Sequence, residues 1–211
     1  MLLVIESATA ACSVALIGDD GLVAERHEVV GRGHAERLVP MIEEALEGRR
    51  PESILVDCGP GSFTGVRVGL AAAHGLAIGW GVPLRGFSSL ALLAAASGEQ
   101  DVAVALHGGH GELFVQSYGG DPIAPTDDLR SLPPEMAAAA VGAELVVGSG
   151  AAALVAARGH GRAIDALPRA ADAILLPASL RALAARPIYG RAPDAKPVQS
   201  DAAGAAAGPL T

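Results

Sequence analysis

The alternation of apolar runs and turn chemistry is regular from the start of the chain. Leu2 to Ile5 and Cys12 to Ile17 are short β-prone runs, Gly18-Asp19-Asp20-Gly21 supplies a turn, and a third run extends from Leu22 to Glu28. An antiparallel meander is predicted. From His34 to Glu47 the period changes. Leu38, Met41, Ile42, Ala45 and Leu46 recur at helical spacing, and Glu36, Glu43, Glu44 and Glu47 fall mostly on other faces. Pro40 lies inside this amphipathic segment, which predicts either a kink or a helix start nearer Val39. Ser53 to Cys58 then reads as a buried strand, Gly59 to Gly65 as a tight loop and Val66 to Trp80 as a second helix. A strand near Leu84 to Phe87 and a helix from Ser89 to Ala96 complete this half.

A fresh strand pair, Val102 to His107 and Glu112 to Tyr118, is joined through Gly108-Gly109-His110-Gly111 and opens a second lobe. A Pro-rich connection, a strand at Leu145 to Val147, an Ala-rich helix after Gly150 and a helix around Pro177 to Ala185 follow. Ala202 to Thr211 has no apolar periodicity and is expected to be disordered or loosely docked. The expected organisation is a lobe over 1–100, a lobe over 101–201 and a tail over 202–211. The order β-β-β-α-β-α describes an α/β fold in which helices pack on a mixed sheet, the half-unit of actin-like and ribonuclease H-like architectures.

Composition sharpens this picture. Among 211 residues there are three Phe, two Tyr and one Trp, so the core is built mainly from Ala, Val, Leu and Ile. The formal charge of −8 disfavours a chain that grips nucleic acid by itself, because phosphate binding rests on clustered Lys and Arg. Cys12 and Cys58 form no ligand spacing, read as buried thiols and fit a reducing compartment. The opening Met1-Leu2-Leu3-Val4-Ile5 meets Glu6 and lacks the basic head and long apolar stretch of a secretion signal. The longest apolar stretch, Val66 to Leu84, is broken by His74, four glycines and Pro83, so a buried helix and strand are expected there and no membrane span.

The segment Asp57-Cys58-Gly59-Pro60-Gly61-Ser62-Phe63-Thr64-Gly65-Val66-Arg67 is a glycine-rich turn between a strand and a helix. Such a turn can offer backbone amides and a helix dipole to an anion through Gly61, Ser62, Thr64, Gly65 and Arg67. No Lys-Ser or Lys-Thr pair follows at P-loop spacing, and the residues alone favour a sharp turn capped by Ser62 or Thr64. His107, His110 and Glu112 have metal-like spacing, but the flanking glycines give poor preorganisation and favour a structural role. Ser13, Ser62 and Thr64 have no Gly-x-Ser-x-Gly elbow around them. Glu6 and Asp57 each end a strand and are candidates for paired carboxylates, a structural role being favoured. Gly65, Gly69, Ala73 and Ala77 recur every four residues, a row suited to close approach either by another helix or by the chain's own sheet.

The stretch GPGSFTGVRVGLAAAHGLA resembles the hallmark of the TsaB family, as do IESATAACSVAL, HAERLVPMI, VPLRGFSSLALLA, HGELF and PIYGR, in order along most of the chain. The resemblance implies a duplicated, two-lobed actin-like fold of the ASKHA class, a cytoplasmic location, and a non-catalytic role beside the paralogous catalytic subunit TsaD and the ATPase TsaE in threonylcarbamoyladenosine formation. It implies a heterodimer through helices 34–47 and 66–80, tRNA held indirectly, and self-association when alone. Leu38, Ile42, Val66, Gly69, Leu70 and Ala73 are the expected interface residues. Glu6-Ser7-Ala8-Thr9 departs from the Asp and Gly-Thr phosphate hairpin of actin-like kinases, so ATP or ADP is expected only within the multi-subunit complex. Leu38 stands four residues after His34, where catalytic relatives carry a second histidine, and His34 is read as solvated or helix-starting. The rival readings are an independent actin-like ATPase or peptidase and a regulatory homodimer.

Overall fold

The computed structural model describes residues 1–190. Residues 191–211, including the expected tail, the end of the second lobe and the last residue of PIYGR, lie outside the described residues. The first strands are β1 (Leu2–Glu6), β2 (Ala11–Gly18) and β3 (Gly21–Val29). They form the expected antiparallel meander, with Glu6 opposite Ser13 and Ser13 opposite His27. Next come α1 (His34–Leu46), β4 (Ser53–Asp57), α2 (Phe63–Trp80) and β5 (Leu84–Phe87). β4 and β5 add in parallel on the other side of β1, giving the order β3-β2-β1-β4-β5.

After α3 (Ser89–Ser97), the second sheet is built from β6 (Asp101–His107), β7 (Leu113–Gly119), β8 (Ala124–Pro125) and β9 (Arg130–Leu132). It is completed by α4 (Pro134–Ala140), β10 (Leu145–Val147), α5 (Ala151–Arg158) and β11 (Arg162–Ile164). Its order is β11-β10-β6-β7-β8, with β9 also paired to β7. Each sheet thus joins antiparallel and parallel strands, and the fold is two-lobed and actin-like.

Three apolar layers hold these sheets. α1 and α2 cover one face of the first sheet, where Leu3, Ile5, Val14 and Val56 meet Leu38, Met41, Val66 and Leu70. α3 lies between the two sheets and joins Val4, Leu55 and Phe87 to Val102, Val104 and Tyr118. Its sequence, apolar on every side, suits a helix with no solvent face. α4 and α5 cover the outer face of the second sheet through Ala137, Val141, Ala151 and Leu154. The chain then returns to the first sheet through the 3₁₀ turn Ala170–Leu175, whose Ala170 amide donates to Ser13 Oγ at 2.9 Å.

Four helical segments depart from expectation. α2 begins at Phe63, three residues before the predicted start, because Ser62 caps it by accepting from the Gly65 amide at 3.2 Å. α1 runs unbroken from His34 through Pro40, and the carbonyl that Pro40 leaves unpaired belongs to exposed Glu36. The predicted helix around Pro177 to Ala185 is instead a 3₁₀ turn at Ala178–Arg181 followed by a bridge between Leu183 and Gly86. There the Leu183 amide and carbonyl are committed to Gly86 at 3.1 and 2.8 Å, which a helix would forbid. Within the Pro-rich connection, Pro133 and Pro134 start α4, a short helix that the pattern left as loop.

Candidate functional site

A cleft of about 540 Å³ opens between the lobes. Thr9, Ser62 and Phe63 line one wall together with Arg32, and His107 and Ser149 line the other. The first wall is built by two loops in close contact. The Ser62 amide donates to the Ala8 carbonyl at 2.6 Å, and the Ser7 hydroxyl donates to the Gly65 carbonyl at 3.0 Å. A side chain at Gly61 would run into the backbone of Ala8, and one at Gly65 into that of Ser7, which is the steric reason for glycine at both places.

In this turn the amides of Gly59, Ser62, Gly65 and Val66 are all spent within the protein, on Asp57, Ala8, Ser62 Oγ and the Ser62 carbonyl. Thr64 is exposed on the first turn of α2, and Ser62 is the residue that caps it. Arg67 lies over the Phe63 ring, 3.3 Å from its centroid, and donates to the Tyr189 hydroxyl at 3.0 Å. This exposed cluster was not foreseen; its signal was the Arg67 and Phe63 spacing of four on one helix.

Beneath the loops lie Glu6 and Asp57, both fully buried. They end the parallel neighbours β1 and β4, one position beyond the Ile5–Val56 pair, and so stand side by side. Glu6 Oε1 accepts from the Ala8 amide at 2.8 Å, and Asp57 Oδ1 accepts from the Gly59 amide at 2.8 Å and the Ser89 hydroxyl at 2.6 Å. Glu6 Oε2 and Asp57 Oδ2 have no hydrogen-bond partner among the described residues. Burial, with the neighbouring Asp57 adding to it, holds the Glu6 carboxyl well above the usual carboxylate range. Burial likewise raises Asp57 to about 7, against the hydrogen bonds from Ser89 and Gly59. The two carboxyls, candidates for a pair with a structural role favoured, do stand side by side, and they face α3 and the protein interior.

The remaining candidates fall elsewhere. His34 is buried, contrary to a solvated reading, and starts α1 with Nε2 donating to the Ala11 carbonyl at 3.1 Å. His107 ends β6 on the cleft wall, His110 holds a left-handed φ of 61°, and Glu112 accepts from the Ser131 hydroxyl at 2.6 Å. Among the described residues no group of three His, Cys, Asp or Glu side chains is arranged to hold a metal ion. Ser13 is buried opposite His27, and its hydroxyl oxygen is spent on the Ala170 amide.

The six residues expected at a partner interface need correction as surface contacts. Leu38, Ile42, Val66, Leu70 and Ala73 are 0–5% exposed and Gly69 is also buried, all within the chain's own core. Gly65 backs onto Ser7 and Gly69 onto Ser7 and Ile5, so these two glycines are spent on the end of β1 and the residue after it, and Ala73 is buried in the same core. The outer faces of the same helices carry Val39 at 62% exposure, Ile78 at 82%, and exposed Ala71, Gly75 and Gly79. Among the described residues no helix is long and apolar enough to cross a membrane.

This geometry accords with the comparisons. The YeaZ structure from Pseudomonas aeruginosa superposes with a TM-score of 0.76 at 30% identity, covering 89% of this chain and 98% of that one. The chain belongs to the TsaB (YeaZ) family. It is 36% identical over 129 residues to the tRNA threonylcarbamoyladenosine biosynthesis protein TsaB of Escherichia coli, covering 57% of this chain and 55% of that protein. Against TsaB of Haemophilus influenzae identity is 40% over 103 residues, 46% of this chain and 43% of the other. The chain thus spans about half the length of these curated TsaB relatives. An uncharacterized protein of Mycobacterium tuberculosis matches at 32% over 211 residues, covering 93% and 94%. The family model described as TsaD, tRNA N6-adenosine threonylcarbamoyltransferase, matches residues 25–126 of this TsaB-family chain. That stretch includes both α1 and α2.

Proposed function

We propose that this TsaB-family chain is a scaffold subunit, without chemistry of its own, in the formation of threonylcarbamoyladenosine in tRNA. In this reading it pairs with a TsaD subunit through the outer faces of α1 and α2 and holds it in its active form. The ATPase TsaE joins the assembly, ATP or ADP enters only there, and the −8 chain leaves tRNA to its partner. Alone, the chain pairs with itself through the same face. The compartment is the cytoplasm.

One observation carries the pairing. Gly75 and Gly79 lie on the exposed side of α2, and a side chain at either would meet nothing within 4 Å. Glycine inside a helix costs about 1 kcal/mol relative to alanine, and nothing among the described residues requires it at these positions. With Ala71 and Ile78 they form a low, apolar strip on which a helix of another chain can lie closely. The TsaD family model matches the lobe that contains this strip, so two like lobes can pack about a near two-fold axis. The buried Glu6 and Asp57 support the absence of independent chemistry, since neither is open to a substrate.

Co-purification with the same organism's TsaD tests the reading. Wild type should form the complex, and Gly75→Leu should lose it while keeping its circular dichroism and melting behaviour. A chain that ignores TsaD, or one that modifies tRNA by itself, overturns the proposal. Titration of the free chain with ATP and magnesium should give no binding; binding with turnover would favour the independent ATPase.

A further inference from the structure

We propose that Glu6 is a neutral carboxylic acid in the folded chain and donates its Oε2 proton to Asp57 Oδ2, so that the pair carries one negative charge and ties the two loops of that cleft wall together. Each carboxyl has one oxygen already satisfied, Glu6 Oε1 by Ala8 and Asp57 Oδ1 by Gly59 and Ser89. Each has one oxygen that is buried and unpartnered, and an unpaired buried acceptor is expensive. The two residues sit at the same level of adjacent parallel strands, which are about 4.8 Å apart, with their side chains on one face. Two ionised carboxylates cannot share such a dry site, and a single proton between the two free oxygens satisfies both.

The surroundings supply no other solution. On that face β2 offers Ser13, whose oxygen accepts from Ala170, and α3 offers Ser89, whose proton goes to Asp57 Oδ1. β5 contributes Phe87. Beyond Ser13 stand His27 and Glu25 on β3, with Arg169 just before the returning 3₁₀ turn and Asp172 within it, and Arg169 is committed to Glu25. Across the sheet stand the thiols of Cys12 and Cys58. No cationic side chain among the described residues pairs with Glu6 or Asp57. Glu6 takes the proton because Asp57 Oδ1 accepts two hydrogen bonds and Glu6 Oε1 one, which favours charge on Asp57. The consequence is mechanical. Glu6 holds the Ser7–Ala10 loop through Ala8, and Asp57 holds the Cys58–Ser62 loop through Gly59, so the shared proton fixes both loops of one cleft wall.

Carbon-13 NMR of the glutamate side-chain carboxyls in the full chain tests this directly. One carboxyl should keep the chemical shift of a protonated acid at about pH 7, and that signal should be absent from Glu6→Gln. A wild-type spectrum in which every glutamate is ionised overturns the proposal, whether or not any variant folds. Folding linkage gives a second arm. Above the ordinary glutamate range the unfolded chain releases a proton that the folded chain keeps, so the unfolding equilibrium constant of wild type should rise about tenfold per pH unit relative to Glu6→Gln. Equal pH dependence in the two proteins overturns it as well. The side-chain amide introduced by Glu6→Gln can still donate to Asp57, so this variant should fold; Asp57→Asn, in which Glu6 becomes the acceptor, should also abolish the protonated signal.

Discussion

Ser7 and Gly65 are tied across the base of the cleft, the Ser7 hydroxyl donating to the Gly65 carbonyl at 3.0 Å. The bond sets how near α2 lies to the end of β1. A side chain at Gly65 would meet the Ser7 carbonyl, whereas one at Gly69 would meet the Ser7 hydroxyl. The first obstacle is backbone and cannot move aside; the second can rotate. Gly65→Ala and Gly69→Ala should each destabilise by about 1–3 kcal/mol in urea unfolding, Gly65→Ala by more. Adding Ser7→Ala should recover much of the Gly69→Ala loss and little of the Gly65→Ala loss. Equal rescue of both would contradict this packing.

Gly75→Ala should behave in the opposite sense. Its new methyl meets nothing within 4 Å, so the variant should gain up to about 1 kcal/mol of stability by thermal or urea unfolding. A loss of stability in the monomeric chain would mean that the outer strip of α2 is covered from within.

Cys12 and Cys58 should be inert in the native chain. Burial pushes both thiols up to about 11, and at Cys58 the charge of the adjacent Asp57 adds to the effect. Alkylation at mildly alkaline pH should proceed only as fast as the chain opens, and urea should make both thiols reactive together. Rapid labelling of either thiol without urea would contradict their burial.

His27 should make the fold sensitive to acid. Burial, helped by Arg169, holds its imidazole below the ordinary value of 6.5, against the pull of Glu25 and Asp172. As pH falls below about 6.5 the unfolded chain takes up a proton that the folded chain resists, so stability is lost over that window. His27→Gln should flatten this part of the stability profile measured by urea titration at a series of pH values. The Glu6 contribution runs the other way, so the two single variants should change the profile in opposite senses.

Much of the first half of the fold was legible in the chain. The meander and the strand at Ser53 follow from short runs of β-prone apolar residues bounded by turn chemistry, since β1, β2 and β4 are buried on both faces, and α1 follows from helical spacing because it has one dry face and one wet one. The region after Tyr118 was less legible. β8, β9 and β11 are two or three residues long, too short for any period to show, and Leu183 pairs with Gly86 across a sequence separation that no local pattern records. The carboxylate pair was legible as a possibility because Glu6 and Asp57 each end a strand. Their adjacency needed the β1–β4 pairing, and their burial needed α3.

The sequence by itself determined the membership of the family, the mixed α/β order and the capped glycine turn, since these rest on residue type and local spacing. It did not determine which side of α2 faces the sheet. That helix carries small residues all round, with Gly65, Gly69 and Ala73 on one side and Ala71, Gly75 and Gly79 on the other, so periodicity cannot separate them. Only the tertiary structure decided: Ser7 and the end of β1 press against Gly65 and Gly69, which turns that row inward and Gly75 and Gly79 outward.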